Sequence, residues 1–459
     1  MSVELDSLNE EVMSLLKQGK YDRACAVARR ALTLAEQTYG PDTRKVARSL
    51  YNLGTLYRKH GQYADAEPLY RRLLEICEKT GGPNHPDVAT SLTFLADLYQ
   101  TRGQYAAAEP LFKRALAIRE TALGPNHPDV AASLNNLAAV YGTQGQYAAA
   151  ESLFKRSLAN IESALGPEHP DVATALSNLA ALYHAQGQNV AAGRLWKRAL
   201  AIREKALAPD HPDVAHSLSS LGASYYAQGE FAAAEPLYKR SLAIRERALG
   251  PDHPEVAVSL NFLAALYQSQ GDYEAAEPLF ARSLTIREKA LGSDHPDVAT
   301  SINNLAVLYY LQGRYEEAEP LYRRSLAIRE TALGPNHPDV AASLSNLGGL
   351  CRDQGEFSAA EPLLKRSLAI REKALGPNHP DVAASLNNLA GLYTDQGRFA
   401  AAEPLLKRSL SITQAALGPN HPSLATVLEN LSILYEKMGQ EHLGRPLLAE
   451  AERIRSSRR

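Results

Sequence analysis

Cysteine is scarce in this sequence. Cys25, Cys77 and Cys351 are the only three, they lie far apart, and none belongs to a C-x-x-C pair. A disulfide framework and a zinc-binding spacing are thereby excluded, and a reducing cytoplasm is the expected location. Long apolar runs are missing as well: nowhere do 18 apolar residues follow one another, so no membrane-spanning helix is expected. The opening M-S-V-E-L-D-S-L-N-E lacks the basic and apolar regions of a secretory signal. Nor is there an excess of either charge, with 49 Lys and Arg against 51 Asp and Glu, a formal net charge of −2. Nucleic-acid binders carry a basic domain or stripe, so RNA and DNA are not the expected partners. The one basic run, Arg453, Arg455, Arg458 and Arg459, reads as a solvated tail. No nucleophile–base pairing, glycine-rich phosphate loop or metal-ligand spacing occurs, so neither enzyme activity nor a cofactor is expected.

What is abundant is repetition. The pair His-Pro recurs at His85, His127, His169, His211, His253, His295, His337, His379 and His421, each 42 residues from the next. A period of that size marks a solenoid, whose units are too small to bury their own apolar faces and become stable only by stacking. With 45% hydrophobic and 22% charged residues, the composition supports a packed core.

Each period reads as two helices. Val130, Leu134, Leu137, Ala138 and Tyr141 form one apolar stripe at helical spacing, helix A; after Gly145-Gln146, Tyr147, Ala150, Phe154 and Leu158 form a second, helix B. The joint between units fuses a stop to a start. Gly124 suits a left-handed C′ position and Pro125 cannot continue the helix. Asn126 or His127 offers an N-cap, Pro128 takes the first helical position, and Asp129 faces the positive end of the helix dipole. The turn glycine recurs from Gly19 to Gly439, which gives eleven hairpins in one uninterrupted domain over 1–459. Residues 1–43 form an atypical capping hairpin, 44–421 the regular repeats, and 422–459 a C-terminal cap and tail whose last helix ends in polar residues. A proline inside helix B, as at Pro110 and Pro362, removes one backbone hydrogen bond and predicts a slight bend. Glu109 with Lys113, and Glu361 with Lys365, are i,i+4 pairs on the outer face.

These residues resemble the tetratricopeptide repeat, whose consensus places are held here by Leu134, Leu137, Ala138, Tyr141, Gly145, Tyr147, Ala150, Phe154 and Ser157. The 42-residue period, H-P-D-V-A at the start of helix A and A-E-P-L-Y-K-R-S-L-A-I-R-E in helix B resemble the kinesin-light-chain subclass. Kinesin light chains carry a heptad segment ahead of their repeats, whereas only about a dozen residues precede the first turn region here. The resemblance therefore implies an all-α, right-handed superhelical solenoid and the habit of binding peptide segments of partner proteins.

The face of helix A opposite the apolar stripe should line the concave groove. One column of that face is nearly uniform: Asn52, Asn136, Asn178, Asn304, Asn346, Asn388 and Asn430, interrupted by Phe94, Ser220 and Phe262. Asparagine offers donors and an acceptor to the backbone of an extended peptide, and the same column could instead bridge neighbouring helices. Val258, Phe262, Val307 and Leu311 make the groove apolar in two adjacent units, with Tyr226 and Tyr310 on its flank. Arg48, Arg58 and Lys59 are basic near one end, Asp353 and Asp395 acidic toward the other, a gradient able to orient a charged peptide. The histidine column cannot share a metal ion, since stacked units repeat at about 8–10 Å while zinc holds its ligands at about 2 Å. Trp196, the single tryptophan, belongs to the core. The reading is a scaffold that binds extended or short helical peptides in the groove. The alternative is a sensory solenoid that binds a small signal and changes curvature.

Overall fold

The computed structural model describes residues 2–17 and 21–456. Over that range the chain is a single series of helices in antiparallel hairpins, from Ser2–Lys17 with Tyr21–Tyr39 to Pro422–Lys437 with Glu441–Ser456. We number the hairpins 1 to 11. The turn of hairpin 1, with Gly19, lies outside the described residues. A regular unit such as hairpin 4 pairs a 16-residue helix A, Pro128–Thr143, with a 19-residue helix B, Tyr147–Leu165. Helix B runs through its internal proline without a break, as in Tyr105–Leu123 around Pro110.

The joints follow from their residues. The His127 side chain caps helix A by accepting the Asp129 backbone N–H at 3.1 Å, so histidine, and not Asn126, is the N-cap. The same bond forms at every His-Pro joint from His85 to His421. Gly124 differs from the expected left-handed helical cap: it sits at φ 87°, ψ 156°, a region essentially closed to side-chain-bearing residues, and donates to Glu120 O at 3.0 Å. Where Ala208 replaces that glycine, helix B of hairpin 5 stops one residue early, at Ala206, and Leu207 keeps a negative φ of −119°.

Stacking supplies the core. Val130, Leu134 and Leu137 of helix A are buried, as are Ala150 and Phe154 of helix B. A fully buried side chain of this kind contributes about 1.5–3 kcal/mol. Trp196 is likewise buried.

Polar clasps then join successive units. Guanidiniums on helix B reach the hydroxyls of the next helix A: Arg203 to Ser217 Oγ at 2.7 Å, Arg245 to Ser259 Oγ at 2.6 Å, Arg329 to Ser343 Oγ at 2.8 Å. On the outer face Lys113 and Lys365 pair with Glu109 and Glu361 at 2.7 Å, and Tyr393 of the following unit also donates to Glu361, at 3.0 Å. Those carboxylates therefore act between units as well as within one.

The superhelix closes upon itself after six units. The turn at Gly61 in hairpin 2 meets the joint that opens hairpin 8; the turns at Gly103 and Gly145 meet the joints of hairpins 9 and 10. His295 Nε2 lies 3.1 Å from Lys59 O, and His337 Nε2 lies 3.1 Å from Thr101 O. His379 lies against the Gly145 turn in the same register, its Cδ2 3.2 Å from where a Cβ on that glycine would sit. Leu291, Leu333 and Leu375 are buried at this seam, while their counterparts Leu123 and Leu165, which lie on no earlier turn, are exposed.

The two ends differ. Helix A of hairpin 1 carries Glu4, Ser7, Glu11 and Ser14 where regular units bury apolar residues or serine. The last helix ends in exposed polar residues, Glu452, Arg453, Arg455 and Ser456, but is bare and apolar further back. Leu448 occupies the helix B position of Phe112 and Tyr238, which the following helix A covers in regular units, and it stands exposed beside Leu443.

Candidate functional site: the concave groove

Burial along helix A has a helical rhythm that defines the groove. In hairpin 4 the partly or fully accessible positions include Asp129, Ala132, Asn136, Ala139 and Thr143, about one turn apart along one face. The same register in hairpin 7 presents Glu255, Val258, Phe262 and Ser269, and in hairpin 8 Asp297, Thr300, Asn304, Val307 and Leu311. Val258 and Val307 are half-buried, whereas Phe262 is 36% and Leu311 47% exposed. Phe262 is held in place by stacking on Tyr238, with ring centroids 5.4 Å apart and planes 9° from parallel. Met13 and Ile433, also exposed, continue the apolar floor toward the ends. Tyr226 donates or accepts at Ser269 Oγ, 2.6 Å away, and Tyr310 donates to Asp353, so the flanking tyrosines tie one unit to the next.

The asparagine column divides into two groups. Asn346 Nδ2 donates to Asn303 Oδ1 at 2.9 Å, Asn430 to Asn387 Oδ1 at 2.9 Å, and Asn388 to Ser345 Oγ at 2.9 Å, each across a unit boundary. Asn52 makes the equivalent bond to Asn9 Oδ1 at 2.9 Å and is buried. In these four one amide hydrogen is spent on stacking. Asn136, Asn178 and Asn304 are half-buried and, among the described residues, make no such bond. Where the column changes, its neighbour changes with it: Phe94 packs against Tyr51, with ring centroids 4.4 Å apart and planes tilted by 31°.

The charge gradient expected along the groove is largely cancelled. Asp353 is bound by Arg352 at 2.9 Å; Asp395 lies 3.6 Å from Arg352 and 3.5 Å from Lys437. A different carboxylate stands out. Burial pushes Asp97, on the groove face of hairpin 3, up to about 6, while Arg58 and Arg119 pull in the opposite direction. Sequence reasoning passed over it, although its column holds Thr55, Ala139, Ala181 and Val307 in other units and no second acid. The buried arginine clasps were also missed; their signal was A-I-R-E recurring at the repeat period.

Where the seam ends, the groove widens into a cavity of about 640 Å³ bordered by Tyr105, Tyr147, Asp339, Asp381, Asn388 and Thr426. Burial raises the Tyr105 phenol to about 12, with Asp339 and Asp381 adding to the effect. Hairpin 5 has a turn unlike the others. Asn189 replaces the turn aromatic and bonds to His184 Nδ1 at 2.7 Å through its side chain and to Ser224 Oγ at 2.7 Å through its carbonyl. A Cβ on Gly193 would approach Ser224 Oγ to 2.7 Å, so these exceptions to the repeat fit one another.

The sequence profile of the tetratricopeptide repeat matches ten overlapping stretches of the chain, beginning with residues 5–79 and ending with 381–457. The chain belongs to the tetratricopeptide-repeat family. Its repeats are of the kinesin-light-chain-like kind, and arrays of this family serve as scaffolds for protein–protein interaction. Among solved structures it is similar to a putative kinesin light chain from Podosopora anserina with nearly identical TPR-like repeats, at 32% identity, covering 45% of this chain and 97% of that one, with a TM-score of 0.39. BtubC (BKLC) from P. vanneervenii is 27% identical, covering 50% of this chain and 92% of that one, with a TM-score of 0.43. A Rap protein complexed with Competence and Sporulation Factor is 14% identical over 90% of this chain and 98% of that one, at a TM-score of 0.50, a likeness of fold alone. A search of curated proteins found no match. Among the described residues no helix is long and apolar enough to cross a membrane.

Proposed function

We propose that this scaffold binds an extended or short helical peptide segment of a partner protein along the helix A groove, in the cytoplasm and without catalysis. The observation that carries the reading is the pair Phe262 and Leu311. Two large apolar side chains stand exposed on adjacent units of a concave surface, where exposed apolar clusters mark binding sites. Val258 and Val307 extend that surface, and Asn136, Asn178 and Asn304 retain amide groups able to meet a peptide backbone. Apolar pockets select side chains, asparagine amides hold the peptide backbone, and affinity accumulates over several units at about 1 kcal/mol for each hydrogen bond.

The test is selection of binding peptides from a random library against the full chain, followed by cross-link mapping and fluorescence anisotropy. Cross-links should fall on helix A of hairpins 4 to 8, and the double variant Phe262→Glu, Leu311→Glu should lose at least tenfold in affinity with its thermal melt unchanged. Cross-links confined to helix B, or unchanged affinity in the double variant, would overturn the reading.

A further inference from the structure

The nine joints share the His-Pro pair and one cap, yet three of them occupy a second environment. His295, His337 and His379 are 7%, 8% and 9% exposed, against 35%, 41% and 40% for His85, His127 and His169. The three buried rings are those at the seam. All three accept a cap on Nδ1, and two of them show both backbone partners, whose roles are fixed: His295 Nδ1 faces the Asp297 N–H at 3.0 Å, which can only donate, and Nε2 faces Lys59 O, which can only accept. His337 repeats the pair with the Asp339 N–H at 3.0 Å and Thr101 O. The geometry thus dictates a neutral imidazole protonated on Nε2. A second proton would have to sit on Nδ1, pointing at an N–H. The ring must then turn, and the cap and the contact to the preceding superhelical turn are lost together.

We infer that His295, His337 and His379 form a latch that holds the second superhelical turn on the first, and that mild acid releases it and opens the coil. This stands apart from the peptide-binding reading, since it concerns the seam and needs no ligand.

The surroundings oppose and favour protonation in identifiable ways. Asp297 Oδ2, 3.9 Å from His295 Nδ1, favours the charged ring, and so do Asp339 and Asp381 for the other two. Arg287 from the preceding helix B and His60 from the turn beneath disfavour it at His295. Arg329 and Arg371 do the same at His337 and His379. The cavity beside His295 also brings Arg23, Glu288, Lys289 and Asp294 near, and Arg102 and Lys373 border that beside His337. Tyr63, Tyr105 and Tyr147, packed from the turns below, are held in their neutral form by burial and the seam carboxylates. Desolvation outweighs the carboxylates, and all three rings lie below their ordinary value of 6.5. Depressed folded values mean that the closed seam is fully favoured above about 6.5 and weakens as the pH falls below it.

The experiment is small-angle scattering of the full chain between pH 8 and pH 5, with far-ultraviolet circular dichroism in parallel. The maximum dimension should lengthen reversibly below pH 6.5 while helicity is retained. The triple variant His295→Asn, His337→Asn, His379→Asn keeps an N-cap acceptor and should show at pH 8 the dimension that the unaltered chain reaches at pH 5. Changing His85, His127 and His169 to Asn should leave the acid response intact. Constant dimensions across the titration, or loss of the response in this second triple variant, would overturn the inference; the titration of the unaltered chain decides it even if a variant fails to fold.

Discussion

Asn346 and Asn303 meet amide to amide at 2.9 Å across the boundary between hairpins 8 and 9. A column that the sequence offers to a peptide is thus partly occupied in holding the groove together. Asn346→Ala and Asn430→Ala should each lower stability by about 1 kcal/mol in urea titrations. The triple change of Asn136, Asn178 and Asn304 to Ala should leave the urea midpoint in place and weaken binding of a selected peptide several-fold. A fall in stability comparable to that of Asn346→Ala, with affinity unchanged, would assign the whole column to stacking.

The guanidinium of Arg245, 3% exposed, rests on Ser259 Oγ at 2.6 Å, with Glu255 3.5 Å away at its other edge. Desolvation pushes it below its ordinary value. Such a charge is costly to bury and costlier to strand. Arg245→Ala should destabilise by about 3 kcal/mol, chiefly through the cavity it leaves. Arg245→Met, which fills the space without a charge, should recover most of that loss. Thermal melts of the two variants against the unaltered chain make the comparison.

Asp97 gives a pH dependence with a definite sign. Its folded value, about 6, is above the ordinary 3.8, so folding favours the protonated form, and stability is lost as the pH rises through 6. Asp97→Asn should therefore stabilise at pH 7.5, by about 1–2 kcal/mol after allowance for partial exposure, and have no effect near pH 4. Equal stabilisation at both pH values would show that packing, and not ionisation, is responsible.

The seam can also be tested through backbone geometry. A Cβ on Gly103, at φ 67°, would fall 2.5 Å from Pro338 Cδ, whereas one on Gly313, at φ 73°, has nothing within 4 Å. Both alanine variants should lose about 1 kcal/mol from the positive φ. Only Gly103→Ala should also lengthen the particle in scattering at pH 8.

The hairpins, their joints and the helix A register were legible in the sequence because each is decided within about 42 residues by periodicity, glycine and a capping side chain. The cap itself stayed open between Asn126 and His127 until the bond from the Asp129 N–H to His127 Nδ1 decided it. The seam was not legible. Its partners stand 236 residues apart, and they meet only because a small rotation per unit accumulates over six units. No local pattern records that sum. The asparagines were ambiguous for a related reason: a donor on the groove face serves a peptide or the next unit equally well, and only the relative placement of Asn303 and Asn346 decides. The arginine of A-I-R-E reads as an outer polar residue until the next helix is laid over it. Composition likewise shows that the final helix contains Leu448, not that the face carrying it is left bare.

Tandem repeats usually behave as linear chains of springs, each unit yielding almost independently of those far from it. Contact between Gly61 and Pro296 changes the mechanics. A coil whose turns touch is stiff under small tension and soft once they part, so its force–extension curve has a threshold. Hairpins 5 to 7 form the arc between the touching regions and carry the torsion when they part. A partner that pulls on the two ends would meet resistance first and compliance afterwards.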